Sequence, residues 1–290
     1  MDNVAEVVAR LRPDVLAMQE VEGCRIASNV SAAAAARIGL AASPWKAYAI
    51  EGADSFLRQQ VAFLSTVDPA QDVRRTDERR DYPVPGSTCG FSGSTDDTGV
   101  SKNSIMRLML GEVPVTFINT HFKAFPTQPS SCAKREAQAT VLAAAAAEAL
   151  AAGDEVVVLG DMNDFLVNGT LADAAGSQPT SSVFSILGDV DGDGVMDLFP
   201  AMALLPVEER YTNWWDHAPK DGIDQGITEH SQLDHILMTP RLYRAVTRAW
   251  IDHTHVASAV SDHWPFAVEG VCCGGACVCM LTLLLFVQPH

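Results

Sequence analysis

The sequence predicts an α/β fold in which two mixed sheets pack face to face and helices cover both outer faces. The first observation is a set of short apolar runs of strand length, at 14–18, 115–118 and 156–159. The second is that each run ends in acid, amide or imidazole groups, as buried strands of α/β enzymes do. The third is that helical patterns separate the runs. Together they predict a four-layer α-β-β-α sandwich.

The first elements follow from local signals. Residues 4–12 have an amphipathic helical pattern that Pro13 stops, and a strand ending at Glu20 follows. A second helix is expected through the alanine run 32–36, with Ser31 as its N-cap.

The middle of the chain predicts a hairpin, a loop and a long helix. Residues 45–50 and 60–64 are typical of paired strands. Residues 66–103 are rich in Pro, Gly, Ser, Thr and Asp and predict one long surface loop. An alanine-rich helix follows, with Ser130 or Ser131 as its cap.

Composition bounds the function. The chain has 290 residues and 48% hydrophobic content, which predicts one large domain with a full core and argues against disorder. The net charge of −16 excludes a general basic surface for nucleic acid, because such affinity comes mainly from Lys and Arg. A nuclease remains compatible, since a bound divalent metal supplies positive charge where the reaction occurs.

The polar segments at the strand ends form an ordered set. With the segment 232–237 between the third and fourth, they resemble the endonuclease/exonuclease/phosphatase superfamily over about residues 1–269, in its extracellular nuclease-like branch. The resemblance implies a deoxyribonuclease I-like fold and a metal-assisted phosphoesterase. The four segments are Leu16-Ala17-Met18-Gln19-Glu20, Asn119-Thr120-His121, Gly160-Asp161-Met162-Asn163-Asp164 and Ser261-Asp262-His263.

The resemblance assigns a metal and a water to four of these residues. Glu20 and Asp262 are expected to hold Mg²⁺ or Mn²⁺, hard ions that take a few carboxylates and leave positions for water and phosphate. Asp161 is expected to orient or deprotonate the attacking water, and Asn163 to position it. Taken alone, Glu20 would be a surface carboxylate and Asp161 would begin an Asx turn.

The remaining site residues are two histidines and their supports. Asp234 is expected to fix the tautomer of His263, so that the imidazolium faces the developing phosphorane charge. His121 is expected to give a proton to the leaving oxygen. Asn119 precedes it in an Asn-x-His segment that is found in the deoxyribonuclease and sphingomyelinase branches.

A second motif indicates calcium. Asp189, Asp191, Asp193 and Asp197 match the Asp-x-Asp-x-Asp-Gly start of a calcium loop. Position twelve is Pro200 rather than Glu, so the loop resembles the shorter calcium loops of extracellular proteins. The alternative is an acidic turn without an ion. Bound calcium would have a structural role.

Cysteine usage and glycosylation signals favour a secreted or luminal protein, although the chain opens without a signal segment. Cys89 and Cys132 either form a disulfide or are two buried free thiols. Sequons begin at Asn29 and Asn168. Four more cysteines lie in the last twenty residues, where the spacing argues against zinc.

The two ends of the chain raise separate expectations. The domain is expected over 1–270, followed by a Cys-rich apolar tail over 271–290. Residues 271–287 are uncharged and borderline for a membrane span, so membrane association through the tail is one alternative. Superfamily members begin with a strand carrying an Asn, which nothing here matches. The resemblance therefore implies a missing first strand, an incomplete sheet edge and a metal site short of one ligand.

The first functional hypothesis is a nuclease of the secreted type acting on a nucleic-acid phosphodiester. The loop with four arginines and the pair Trp214-Trp215 favour it, because exposed indoles stack on bases, although both could equally lie in the core. The alternatives are a sphingomyelinase-like or inositol/lipid phosphoesterase and a truncated, non-catalytic binding module. The sequence leaves the oligomeric state open.

Overall fold

A computed structural model describes residues 2–53, 58–166, 181–216, 220–255, 260–271 and 278–285. Within these ranges the helices are α1 (Asp2–Leu11), α2 (Cys24–Arg37), α3 (Pro129–Ala151), α4 (Val183–Gly188) and α5 (Pro240–Ala245). The strands are β1 (Val15–Val21), β2 (Lys46–Ala49), β3 (Gln60–Ser65), β4 (Arg79–Tyr82), β5 (Asp96–Gly99), β6 (Lys102–Leu110), β7 (Val113–His121), β8 (Glu155–Asp161), β9 (Phe199–Pro200), β10 (Asn213–Trp214), β11 (His230–Ser231), β12 (Asp234–Met238), β13 (Val246–Ile251), β14 (Phe266–Val271) and β15 (Val278–Leu285).

Two mixed sheets form the centre of the molecule. A six-stranded sheet has the order β13-β14-β15-β1-β3-β2, and a five-stranded sheet has the order β6-β7-β8-β12-β9. The strands β7 and β8 are parallel, whereas β6 and β12 run antiparallel to their neighbours.

Alternation along the strands builds the four layers. On β8, Val157 and Leu159 face the core between the sheets, while Val156 and Val158 pack towards α3 and α4. Strand β1 divides its side chains in the same way, between the inner core and the helices α1 and α2. The predicted α-β-β-α sandwich is confirmed.

The register brings distant motifs to one edge of the five-stranded sheet. His121 at the end of β7 pairs with Asp161 at the end of β8, which pairs in turn with Asp234 at the start of β12. Residues that are 40 and 73 positions apart in the sequence are therefore paired on neighbouring strands at one end of the sandwich.

Both predicted serine caps are wrong. Helix α2 begins earlier, after Gly23, and Ser31 lies within it, where its buried hydroxyl donates to the carbonyl of Trp45. Helix α3 begins at Pro129, whose fixed φ suits the first helical turn, so the serines that follow lie inside the helix. A serine hydroxyl used for packing between elements gives the same sequence signal as a cap.

The prediction of one long loop over 66–103 is wrong in part. Strands β4 and β5 form a hairpin there, and the side chains of Arg79 and Asp97 pair across it. A disulfide joins Cys89 to Cys132 and ties the loop to α3, so the disulfide alternative holds. The charged strands carry no apolar alternation, which explains why the sequence did not indicate them.

Strand β15 places part of the predicted tail inside the six-stranded sheet. It pairs antiparallel with β14 and parallel with β1, so β1 is paired on both sides and the expected incomplete edge is wrong. An uncharged apolar run is as typical of a central strand as of a membrane segment. Among the described residues, no helix combines the length and apolarity needed to cross a membrane.

Candidate active site

Glu20 lies where the regular pairing of β1 breaks. The register with β3 shifts between Met18 and Val21, and Glu20 has a left-handed backbone with φ of 56°. A bulge of this kind re-aims one side chain out of the strand's alternation. The carboxylate is thereby 18% exposed at the strand end instead of being buried in the core.

Asn119 is placed beneath the site rather than at its surface. Gln19 Nε2 donates to Asn119 Oδ1 at 2.6 Å, and Asn119 Nδ2 donates to the carbonyls of Met18 and Ala62 at 3.2 and 2.9 Å. The side chain is fully buried. Its contacts join the two sheets, so we assign Asn119 a positioning role. The polar Gln19 within an otherwise apolar strand was the signal for this bridge.

His121, Glu20, Asp161 and Asn163 come together. His121 Nε2 lies 3.4 Å from Asp161 Oδ2 and 3.9 Å from Glu20 Oε1. Asp161 accepts from the backbone N–H of Asn163 at 2.8 Å and from Asn163 Nδ2 at 2.9 Å. Asp161 thus begins an Asx turn, which fixes both of its oxygens relative to the neighbouring amide.

Gly160 allows this arrangement. Its φ is 142°, and a Cβ at this position would lie 1.9 Å from the carbonyl oxygen of Thr120. Only glycine lets β7 and β8 approach this closely. The glycine therefore sets the spacing between His121 and Asp161.

Asp234 and His263 form the second pair. Nδ1 of His263 lies 2.7 Å from Asp234 Oδ2, and both side chains are buried. Burial alone would lower the pKa of His263, but the charge and hydrogen bond of Asp234, with the charges of Asp262 and Asp161, raise it to about 10. The imidazole is therefore a cation at neutral pH.

In the pair of Asp161 and His121, the pKa shifts favour the neutral form of each side chain, whereas the shift of His263 favours its cation. Burial raises the pKa of Asp161 well above its usual value, and the charges of Asp234 and Glu20 add to this effect. Burial lowers the pKa of His121 well below its usual value, as do the charges of Lys102 and His263. The centre thus joins a fixed cation, a carboxyl with raised proton affinity and a neutral imidazole.

Glu20 and Asp262 are the carboxylates that would hold a divalent cation here, although the described residues bring no group of three or more acidic, His or Cys ligand atoms within 4.8 Å of one another at this centre. Asp262 Oδ1 is buried and has no hydrogen-bond partner among the described residues. The charge of Glu20 raises the pKa of Asp161, and the charge of Asp262 raises the pKa of His263. Carboxylate oxygens are the ligands that Mg²⁺ and Mn²⁺ prefer.

The sequence did not indicate the role of Arg135. This side chain is wholly buried, and its Nε donates to Asp164 Oδ2 at 2.9 Å. Its two terminal nitrogens donate to the carbonyls of Lys123, Phe125 and Pro126. Arg135 therefore holds together the loops that follow β7 and β8. An arginine in a helix of alanines was the available signal, but its partner lies 29 residues away.

The acidic loop between α4 and β9 is a separate feature. Carboxylate oxygens of Asp189, Asp191 and Asp197 lie within 4.8 Å of one another. Asp193 is outside this group, and its Oδ1 accepts from the backbone N–H of Val195. The structure thus brings three of the four predicted calcium ligands together.

Base stacking and core packing were the two interpretations of the tryptophan pair, and the two side chains differ in burial. Trp214 is buried, and its Nε1 donates to Glu229 Oε2 at 2.9 Å, which makes it a core residue. Trp215 is 61% exposed. Of the two, Trp215 is the one whose side chain is exposed.

Comparison with solved structures shows the same fold at low identity. A 3′ phosphatase, NExo, from Neisseria, bound to a product DNA hairpin, has a TM-score of 0.61 and 19% identity, covering 93% of each chain. An AP endonuclease from Archaeoglobus fulgidus has a TM-score of 0.60 and 18% identity, covering 91% of each chain. The APE2 catalytic domain from Xenopus laevis has a TM-score of 0.59 and 16% identity, covering 97% of this chain and 88% of that one.

Sequence comparison gives the family. No curated protein matches this chain significantly. The model of the Endonuclease/Exonuclease/phosphatase family matches residues 1–263, which include every strand-end motif of the site. With four layers, paired strand ends and a carboxylate–imidazole centre in place, the chain belongs to the Endonuclease/Exonuclease/phosphatase family, a family of phosphoester hydrolases.

Proposed function

We propose that the protein is a divalent-metal-dependent phosphodiesterase that cleaves nucleic acid, a nuclease of the secreted type. The observation that carries this proposal is the row of His121, Asp161 and Asp234 across three adjacent strands, completed by His263. Solved relatives include a phosphatase bound to a DNA hairpin and an AP endonuclease, which supports nucleic acid as the substrate.

Asp161 and Asn163 act on the attacking water. A carboxylate with a raised pKa is a stronger base than a free one, so Asp161 is suited to accept the water's proton. Asn163 is held against Asp161 by two hydrogen bonds and presents its amide at the same turn. Together they set the line of attack on phosphorus.

The two histidines act on the phosphate. His263, charged at neutral pH and oriented by Asp234, stabilises negative charge on the non-bridging oxygens. His121 is neutral, so it contributes a hydrogen bond to the leaving oxygen rather than a stored proton. This refines the proton-donor role expected from the sequence.

Glu20 and Asp262 would hold the metal ion. When bound, the ion supplies positive charge to the phosphate oxygens and lowers the pKa of a coordinated water. The partly exposed carboxylate of Glu20 and the unpartnered oxygen of Asp262 support this assignment. We also propose that the loop of Asp189, Asp191 and Asp197 binds calcium, and that this ion has a structural role.

A secreted or luminal location is also proposed. The disulfide between Cys89 and Cys132 supports it, because such bonds persist in oxidising compartments. The sequon at Asn29 lies on an exposed position of α2, and the one at Asn168 lies outside the described residues.

The test is hydrolysis of plasmid DNA and bis-p-nitrophenyl phosphate in millimolar Mg²⁺ or Mn²⁺. We expect EDTA to abolish both activities and Glu20→Gln to raise the Mg²⁺ concentration needed for half-maximal rate. Asp191→Asn, in the separate acidic loop, is the matched control and should leave the Mg²⁺ response unchanged. Full activity in EDTA would contradict the metal assignment. Sphingomyelin, inositol phosphates and RNA, assayed in parallel, identify the substrate class.

A further inference from the structure

Trp215 directly follows strand β10, which is hydrogen-bonded to the segment of Asp262. The backbone N–H of Trp214 donates to the carbonyl of Asp262, and that of Trp215 donates to the carbonyl of Glu229, both at 2.8 Å. Trp214 is buried, whereas the next side chain, Trp215, is 61% exposed. Asn213 Nδ2 also donates to the backbone carbonyl of Asp262, so two hydrogen bonds join β10 to the segment that carries Asp262.

A second exposed aromatic side chain lies beyond His121. Phe125 is 57% exposed and has a φ of 70°, an unfavourable backbone conformation for this residue. Its carbonyl accepts from buried Arg135 and from the N–H of Gln128, which hold the conformation in place. The ammonium of Lys123 lies 5.6 Å from the ring centroid. Stability of the fold does not require an exposed ring in a strained loop.

Each ring is attached to a chain segment next to site residues. Trp215 follows the strand bonded to the segment of Asp262 and His263, and Phe125 follows the strand that ends in His121. An exposed ring beside a phosphodiester site offers a surface on which a base stacks. The net charge of −16 excludes a long electrostatic footprint on nucleic acid, so short-range stacking must supply much of the affinity.

We propose that Trp215 and Phe125 are stacking platforms on either side of the reacting phosphodiester, which makes single-stranded or locally unpaired nucleic acid the preferred substrate. Bases within a duplex already stack on each other, whereas unpaired bases present free faces. This inference rests on the proposed nuclease function. It adds the class of nucleic acid and the residues that select it.

The test compares two oligomers of equal length in Mg²⁺: oligothymidylate, and a tetrahydrofuran oligomer with the same phosphodiester backbone and no bases. The wild-type protein should favour oligothymidylate. Trp215→Ala should lower kcat/KM for oligothymidylate by about 5- to 100-fold, mainly through KM, and move the ratio of the two substrates towards one. Phe125→Leu should act in the same direction.

Two further variants of Trp215 test whether an aromatic ring is required or whether apolar bulk is enough. A third variant, at another exposed residue, is the control for general damage. Trp215→Phe should keep most of the preference for oligothymidylate, whereas Trp215→Leu should lose it. Met109→Ala is the matched control, since Met109 is also exposed but lies about 24 Å along β6 from the end that pairs with His121. It should change neither substrate.

The outcomes distinguish this inference from the proposed function. An unchanged substrate ratio in Trp215→Ala and Phe125→Leu, or wild-type behaviour of Trp215→Leu, would overturn stacking while leaving the nuclease proposal intact. If the wild-type protein cleaves no phosphodiester, the nuclease proposal fails. Fluorescence anisotropy of the labelled oligomers then decides the inference alone: tighter binding of oligothymidylate that Trp215→Ala removes supports it, and equal binding of both oligomers overturns it.

Discussion

Two clusters of acidic residues in this protein are indicated by equally clear sequence motifs, but the fold assembles them differently. The candidate catalytic centre draws on both sheets: Glu20 comes from β1, whereas Asp161 and Asp234 come from adjacent strands of the other sheet. The acidic loop draws on nine consecutive positions, 189–197. Asp161 and Asp234 are buried, whereas Asp191 is exposed and Asp189 is partly exposed.

The difference shows what each arrangement requires. Asp189 accepts backbone N–H groups from Gly192, Asp193 and Gly194, so the loop's carboxylates are already satisfied by their own turn. Charged groups buried in the centre are costly unless partners compensate them. A local acidic turn needs no ion to exist. A buried charged set assembled from several strands has a cost in free energy that packing does not offset, and it therefore indicates a functional site.

The largest effect is expected at the buried centre. Asp161→Ala and His263→Ala should each lower kcat by about a thousandfold or more, because they remove the base and the cation that act on the transition state. Glu112→Ala, at the exposed turn far from the site, is the control and should be neutral. Steady-state hydrolysis of bis-p-nitrophenyl phosphate measures the loss, and circular dichroism confirms folding. A loss below tenfold would contradict the assigned roles.

The pairing of Asp234 with His263 gives a sharper form of this test. Asp234→Asn should cost less than His263→Ala, because the imidazole remains and loses only its orienting charge. Adding Asp234→Asn to His263→Ala should cost almost nothing more, as expected for residues that act as one unit. Fully additive losses in kcat would show that Asp234 does not serve His263, despite their 2.7 Å contact.

Most of the site residues could be predicted because they follow apolar runs of strand length, whose ends meet at one edge of such sheets. The roles of Asp161 and Asp234 came from the resemblance to the superfamily. The sandwich was predicted from apolar runs of strand length separated by helical patterns. The bulge at Glu20 was not predictable, because it depends on pairing with β3.

The features that sequence reasoning missed all depend on long-range contacts. The bond between Gln19 and Asn119 joins residues 100 positions apart, and no local pattern encodes it. Ser31 was assigned to a cap because a hydroxyl before an alanine run gives that signal, although its partner is Trp45. Burial of Arg135 could not be inferred, since an isolated arginine on a helix is usually solvated.

Burial near the centre should also make stability depend on pH. Burial lowers the pKa of His235 to about 4, from 6.5 in the unfolded chain, against the opposing hydrogen bond to the carbonyl of Asp164. The unfolded state therefore binds the extra proton first, and stability falls as pH drops from 6.5 to 4, by about 3 kcal/mol from this group. His235→Gln should reduce that slope in urea unfolding between pH 7 and pH 4.5.

The comparison at pH 8, where the histidine is neutral in both states, is the control for packing. The free energy lost by His235→Gln there measures the substitution alone. An unchanged slope between pH 7 and pH 4.5 would show that His235 is not responsible for the acid sensitivity.

The smallest effect is expected at the acidic loop, because it is exposed and already satisfied by backbone bonds. Millimolar Ca²⁺ should raise Tm by about 2–6 °C, since an ion that binds only the folded state stabilises it by mass action. Asp191→Ala should remove the shift, and Asp221→Ala, in another exposed loop, should retain it. Asp193→Ala tests whether three or four carboxylates bind the ion. A retained shift favours the three carboxylates that the structure clusters, and a lost shift favours all four carboxylates of the motif. An equal calcium response in Asp191→Ala would place the ion elsewhere and leave the loop an acidic turn.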